Sequence, residues 1–78
     1  MDTTEAIKSL LIRTDMSQRA ASLAMGRSGN FLGATFAKQS TCSAATVAEV
    51  ARVCGYTLAL VPDREVPPGA IVIDPPAR

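Results

Sequence analysis

The chain has 78 residues, of which 47% are apolar and 19% charged, a balance that predicts one globular domain and excludes a disordered chain. It contains no histidine, the commonest general base and zinc ligand, so we predict no enzyme, no catalytic residue, no metal site and no cofactor. The net charge is +1, yet residues 16–48 hold three basic and no acidic residues, which favours a polyanionic partner such as nucleic acid. The alternative is that these charges are ordinary solvated side chains.

The apolar runs are only a few residues long, so the sequence predicts neither a membrane helix nor a signal peptide. Cys42 and Cys54 are twelve residues apart, a spacing typical of neither a metal pair nor a redox pair. We therefore expect two small apolar side chains in a reducing, cytoplasmic environment. Chains of this size often gain stability from self-association, and a homodimer is expected.

The first helix is predicted from Thr3 to Arg13. Asp2 and Glu5 have the spacing of a capping box, in which each side chain accepts a hydrogen bond from the other residue's backbone N–H. Apolar residues recur at helical spacing and form one stripe: Ala6, Ile7, Leu10 and Leu11.

The second and third helices are predicted to meet across a glycine turn. The second begins after Ser17, a good N-cap, and ends near Gly26, which favours a left-handed cap. The third begins after Arg27, with Ser28 as its N-cap. Small and apolar side chains are expected at the crossing and in the core: Ala20, Ala21, Ala24, Leu32 and Phe36.

The fourth helix is predicted between the N-cap Ser43 and the terminating Gly55. Its buried stripe is expected to contain Val47, Val50, Ala51 and Cys54.

Beyond Gly55 the apolar period changes from 3.6 to 2, which is typical of a strand. Pro68-Gly69 predicts a turn, and residues 70–73 a second strand. A two-stranded hairpin is marginally stable alone, so it should pack on the helices, on another chain, or on both. The residues expected to form the dimer contact are Tyr56, Leu58, Leu60, Ile71 and Ile73.

Residues 17–36 have the pattern of a helix-turn-helix, in which the start of the second helix enters the major groove of DNA. The spacing from Gln18 to Gly55 resembles the Cro and phage-repressor family, also called Xre-like or lambda-repressor-like. Gln18 stands where that family has a Gln, and Met25-Gly26 stands at its turn. Further matches lie in the third and fourth helices: Leu32, Gly33, Ala34, Phe36, Ser43, Val47, Val50, Ala51 and Cys54.

The chain departs from the family pattern at three places. Arg19 stands where the family usually has an acidic residue. Gly29 stands where many relatives have a Gln or Arg that reads a base. The family's fifth helix is replaced by the predicted hairpin, which fits Cro-like relatives that form dimers through a C-terminal strand.

The pattern and the resemblance together predict a mainly α fold. A four-helix, lambda-repressor-like helix-turn-helix domain at residues 1–55 precedes a β-hairpin at 56–74 and a flexible tail at 75–78. The resemblance implies a small dimeric transcriptional regulator, a repressor of bacterial or phage origin that binds double-stranded DNA at a near-palindromic operator. The residues expected to contact DNA are Gln18, Arg27, Ser28, Gly29, Asn30, Phe31, Lys38, Gln39, Ser40 and Thr41.

Individual roles follow from side-chain chemistry. The amide of Asn30 donates and accepts at once, as adenine N6 and N7 require. Gln18 and Lys38 are expected to contact the phosphate backbone, and Arg27 a phosphate or a guanine edge. Phe31 is expected either to touch a thymine methyl group or to join the core. For each polar residue the alternative is an exposed side chain without a ligand.

A second interpretation is a protein-interaction module on the same fold, such as an antitoxin or a phage-encoded inhibitor of a host protein. The alternating C-terminal segment would then add a strand to a protein partner. The salt dependence of DNA binding would separate the two interpretations.

Overall fold

The computed structural model describes residues 1–38 and 42–75. Four α-helices form the described part of the fold: α1 Thr3–Arg13, α2 Gln18–Ala24, α3 Phe31–Lys38 and α4 Ala44–Val53. A short 3-10 turn follows at Asp63–Glu65. The prediction of a mainly α fold is confirmed. None of the described helices is long and apolar enough to cross a membrane.

Helix α1 begins and packs as its sequence predicts. The Asp2 carboxylate accepts a hydrogen bond from the Glu5 backbone N–H at 2.8 Å, and Glu5 Oε1 accepts one from the Asp2 N–H at 3.0 Å. Two N–H groups that a helix start leaves unpaired are thereby satisfied. The predicted apolar stripe is buried at every position: Ala6, Ile7, Leu10 and Leu11.

Helix α2 has the predicted caps but a different buried face. Ser17 Oγ accepts from the Ala20 N–H at 2.9 Å, and Gly26 has a φ of 78°. Of the three alanines expected at the crossing, Ala21 is buried, whereas Ala20 and Ala24 are exposed. A buried face centred between positions 21 and 22 places position 20 about 150° and position 24 about 110° from its centre, so both point towards solvent.

Helix α3 begins two residues later than predicted, and Ser28 is not its N-cap. The Ser28 hydroxyl donates to Asn30 Oδ1 at 2.9 Å, so the side chains of residues 28 and 30 are joined in a turn before the helix. Phe31 N–H closes this turn on the Ser28 carbonyl at 3.1 Å. Leu32 is fully buried, as expected, while Phe36 is half-buried against the core.

Helix α4 closes the core. Ser43 Oγ accepts from the Thr46 N–H at 3.2 Å, and Gly55 ends the helical region with a φ of 80°. Helix α1 packs on α4, and α2 packs on α3 and α4. All four helices contribute to one apolar core: Ile7, Leu10, Leu11, Ala21, Leu32, Val47, Val50 and Ala51, with Cys42 beside it. Cys54, expected in the buried stripe, is half-buried at the edge of this core.

Residues 56–75, here called the C-terminal arm, contain turns but no strand, so the predicted β-hairpin is wrong for the described residues. The predicted Pro68-Gly69 turn is present, with the Ala70 N–H donating to the Pro67 carbonyl at 3.1 Å. The 3-10 turn and three prolines, Pro62, Pro67 and Pro68, separate the two segments that were predicted as strands, and proline cannot donate to a ladder. An apolar groove of about 250 Å³ lies between the segments, α1 and α4.

Three polar contacts attach the second half of the arm to α1 and to the residue that begins the chain. Arg13 Nη1 donates to the Gly69 carbonyl at 2.6 Å. The Met1 ammonium group pairs with Asp74 Oδ2 at 2.6 Å, and the Asp74 N–H donates to the Met1 carbonyl at 3.0 Å. The arm is therefore fixed to α1 without strand pairing within the described chain.

Candidate nucleic-acid interface

A buried hydroxyl holds α2 against α3. Ser22 is completely buried, its Oγ donates to the Gln18 carbonyl at 2.7 Å, and it accepts from the Leu32 N–H at 3.1 Å. The Leu32 N–H belongs to the first turn of α3, where no helical carbonyl is available to it. One side chain therefore fixes the start of α3 relative to α2. Sequence reasoning missed this serine because a mid-helix Ser carries no signal of a partner ten residues away.

Asn30 precedes α3 and is exposed, as a base-contacting residue must be. Its Oδ1 accepts from Ser28 Oγ, which orients the amide plane. Its Nδ2 has no hydrogen-bond partner among residues 1–38 and 42–75. An amide oxygen has two lone pairs, so the side chain keeps both a donor and an acceptor for a ligand. Ser28 and Asn30, both predicted site residues, are thus brought together.

Arg27 is engaged by other protein groups. Its Nη2 lies 3.2 Å from Glu49 Oε1, and its guanidinium lies 4.5 Å from the centroid of the Phe31 ring. Both members of the ion pair are about half exposed, so the pair stabilises the fold weakly, by about 0–1 kcal/mol. Phe31 is half-buried beneath this guanidinium and packs against the core. Of the three basic residues in the acid-free segment 16–48, Arg27 is therefore paired with an acidic residue of α4, Glu49.

Side chains of α2 lie beside two glycines, Gly29 before α3 and the exposed Gly33 on it. A Cβ built on Gly29 would lie 2.9 Å from Arg19 Cζ, and one built on Gly33 would lie 3.5 Å from Gln18 Oε1. Gln18 and Arg19 are both exposed and lie along α3. At position 29 the candidate interface has no side chain of its own, and the Arg19 side chain fills that space.

Further basic groups lie at the other end of α3. Lys38 is its last residue, is exposed and has no ion-pair partner within the described part of the chain. Lys8 reaches across from α1, with its Nζ 5.3 Å from the centroid of the Phe36 ring. Lys8 was not a predicted site residue, because its contact with α3 arises only in the fold. The predicted contacts at Gln39, Ser40 and Thr41 lie outside the described residues.

The remaining polar chemistry offers no alternative centre in the described chain. No group of three or more His, Cys, Asp or Glu side chains there could hold a metal ion. Cys42 is buried, and the half-buried Cys54 thiol donates to Met16 Sδ at 3.7 Å.

The residues predicted for dimerisation form a second candidate surface. Four of the five are exposed: Tyr56, Leu58, Leu60 and Ile73. Leu60 is fully exposed, whereas Ile71 is half-buried and packs against the core. Within the described chain, the backbone N–H and C=O groups of residues 57–61 have no hydrogen-bond partner. This segment has the apolar side chains and free backbone of an unpaired strand edge.

Comparison with family models, with curated proteins and with solved structures finds no match for this chain. Its function is therefore inferred from the residues and the geometry described above.

Proposed function

We propose that this protein is a small dimeric DNA-binding regulator of the Cro and phage-repressor type, acting in the cytoplasm as a repressor. The carrying observation is the fixed crossing of α2 and α3, which leaves the turn before α3 and one side of α3 exposed. Asn30 and a row of small residues, Gly33, Ala34 and Ala37, lie on the exposed side of α3. A helix with so little side-chain bulk fits closely into a major groove, which is about 12 Å wide.

The charges around α3 support a polyanionic ligand. Arg19, Lys38 and Lys8 lie on or beside α3, and only Arg27 has an acidic partner among the described residues. Basic groups beside an exposed helix supply phosphate contacts, which position a protein on DNA without reading its sequence. Asn30 then contributes the sequence information by pairing with an adenine edge.

The arm supports a homodimer. A second copy can supply the strand partner that residues 57–61 lack, and pairing would cover exposed side chains such as Leu60. Two copies would place two α3 helices in successive major-groove faces, roughly 34 Å apart, on a near-palindromic operator. Repression would follow from occlusion of the promoter that contains this operator.

The test is selection of duplexes from a random pool, followed by salt titration on the recovered site. We expect a motif with two-fold symmetry and a slope of log affinity against log salt of about −4 to −7, for roughly 4–8 neutralised phosphates. A slope near zero, or the recovery of no duplex, would refute DNA binding.

The second candidate function is a protein-interaction module, favoured by the free backbone edge of residues 57–61. A partner chain would pair with that edge by strand addition. This function predicts no duplex recovery together with a stable complex that Leu60→Glu abolishes.

A further inference from the structure

We infer that Arg19, a residue of α2, reads a guanine edge at the position where the chain before α3 has no side chain. The inference rests on the proposed function and adds a specificity-determining residue to it. In the sequence, Arg19 and Gly29 are two separate departures from the family pattern. In the fold they form one arrangement.

The Arg19 side chain packs against the backbone of Gly29, and this contact is called the seat of Arg19. A Cβ at position 29 would lie 2.9 Å from Arg19 Cζ and 3.2 Å from its Cγ, closer than such atoms pack. The arginine stem and guanidinium therefore cross the backbone of Gly29 in the space where a side chain at 29 would begin. Gly29 adjoins Asn30 in the chain, so the Arg19 guanidinium lies against the backbone one residue before the amide that the proposed function assigns to base contact.

The Arg19 guanidinium is free to bind a ligand. It has no ion pair and no hydrogen bond with any residue of the described ranges 1–38 and 42–75. Other arginines near it in sequence are engaged: Arg27 pairs with Glu49, and Arg13 donates to the Gly69 carbonyl. Arg19 is thus an exposed cation held against backbone by packing, with all five N–H donors unused in the described chain.

The chemistry of the group selects the ligand. A guanidinium has only donors, in a planar fork, and this fork matches the O6 and N7 acceptors of guanine in the major groove. A phosphate oxygen pair is the competing acceptor, and it would carry no sequence information. The guanidinium lies over the backbone of Gly29, in the turn that leads into α3, and this position favours the base edge over the phosphate backbone.

The test compares Arg19→Ala, Arg19→Lys and Gly29→Ala with the wild type on the duplex recovered from a random pool and on a scrambled duplex. Arg64→Ala is the matched control, because it removes the same charge from an exposed position on the arm. We expect Arg19→Ala to weaken binding to the selected duplex by about 10- to 100-fold and to change binding to the scrambled duplex far less. Arg19→Lys should lose most of this preference, because an ammonium group keeps the charge but not the fork.

Gly29→Ala displaces the Arg19 side chain from Gly29 while leaving the arginine itself unchanged. Its φ lies outside the left-handed range, so alanine fits the backbone, and the added Cβ displaces the end of a flexible side chain. We expect unchanged or increased thermal stability together with reduced preference for the selected duplex. Repeating the selection with Arg19→Ala should recover the same motif with one guanine position per half-site degenerate.

The outcomes separate this inference from the proposed function. Equal loss on both duplexes, or full specificity in Arg19→Lys, assigns Arg19 to a phosphate and overturns the inference while leaving DNA binding intact. Unchanged binding in Arg19→Ala overturns it as well. A wild type that recovers no duplex refutes the proposed function, and the inference with it.

Discussion

Replacing Ser22 with alanine tests whether one hydroxyl fixes the α2–α3 crossing. Ser22 Oγ is buried, donates to the Gln18 carbonyl and accepts from the Leu32 N–H. Alanine removes both hydrogen bonds. The Gln18 carbonyl keeps its helical partner, whereas the Leu32 N–H lies on a fully buried residue in the first turn of α3 and loses its acceptor.

The expected cost follows from that orphaned donor. A buried N–H left without a partner costs about 1–3 kcal/mol, and the better helix propensity of alanine over serine returns about 0.5 kcal/mol. We expect a net loss of about 0.5–2.5 kcal/mol in the free energy of unfolding. For a domain of this size, that corresponds to a decrease in Tm of about 2–20 °C.

Thermal and urea unfolding followed by circular dichroism measure this loss. Two serine variants with the same chemical change serve as controls. Ser17→Ala removes an exposed N-cap and should cost about 1 kcal/mol, while Ser28→Ala removes only an exposed contact and should lie within about 0.5 kcal/mol of wild type. If Ser22→Ala unfolds no more easily than Ser28→Ala, the bridging hydroxyl does not hold the two helices together.

Three further predictions concern the site and the arm. Leu60→Glu should convert the dimer to a monomer in sedimentation, because it places a charge in the expected contact; an unchanged dimer would move the interface elsewhere. Asn30→Ala should cost about 1–3 kcal/mol on the selected duplex and far less on scrambled DNA, whereas Lys38→Ala should weaken both equally, as competition assays would reveal. The hydrogen bond that the Met1 ammonium donates to the Asp74 carboxylate raises the pKa of this ammonium above its ordinary value of 8.0, and the negative charge of Asp74 adds to the rise. The ion pair between Met1 and Asp74 is therefore fully formed below pH 8 and should weaken as the pH rises through that higher pKa. The weaker attachment would be measured as faster proteolysis of the arm. Asp74→Asn should remove this pH dependence.

The helix starts that the sequence predicts correctly depend on partners within four residues. Asp2 and Glu5 find each other inside one turn, and Ser17 and Ser43 cap the N–H three positions ahead. Such contacts are decided by local geometry, so the spacing of residue types is enough to identify them. The predicted start of α3 was wrong because the Ser28 hydroxyl bonds to the nearer Asn30 Oδ1 and does not cap the helix.

The features that the sequence does not predict are long-range. Strand pairing across the arm depends on whether two segments meet, and in the described chain they pack separately on α1 and α4. Which face of α2 is buried depends on the direction from which α3 approaches. As a result Ser22 is buried, whereas Ala20 and Ala24, which were expected at the crossing, are exposed. The seat of Arg19 on Gly29 is likewise a consequence of the helix crossing, since neither residue contains any local sign of the other.

The first segment of the arm, residues 56–61, is bounded at both ends by residues that stop a strand from becoming longer. Gly55, with its φ of 80°, turns the chain at one end, and Pro62 removes a donor at the other. Any strand formed there is held to about six residues, the commonest length in globular proteins. An antiparallel pair of two identical short edges closes on itself around a two-fold axis, whereas longer edges can recruit further chains into open assemblies. The charged turn Asp63–Glu65 directly beyond the proline adds repulsion against the pairing of further chains. In the proposed dimer, residues 55–65 would therefore supply the pairing edge and also limit the assembly to two chains.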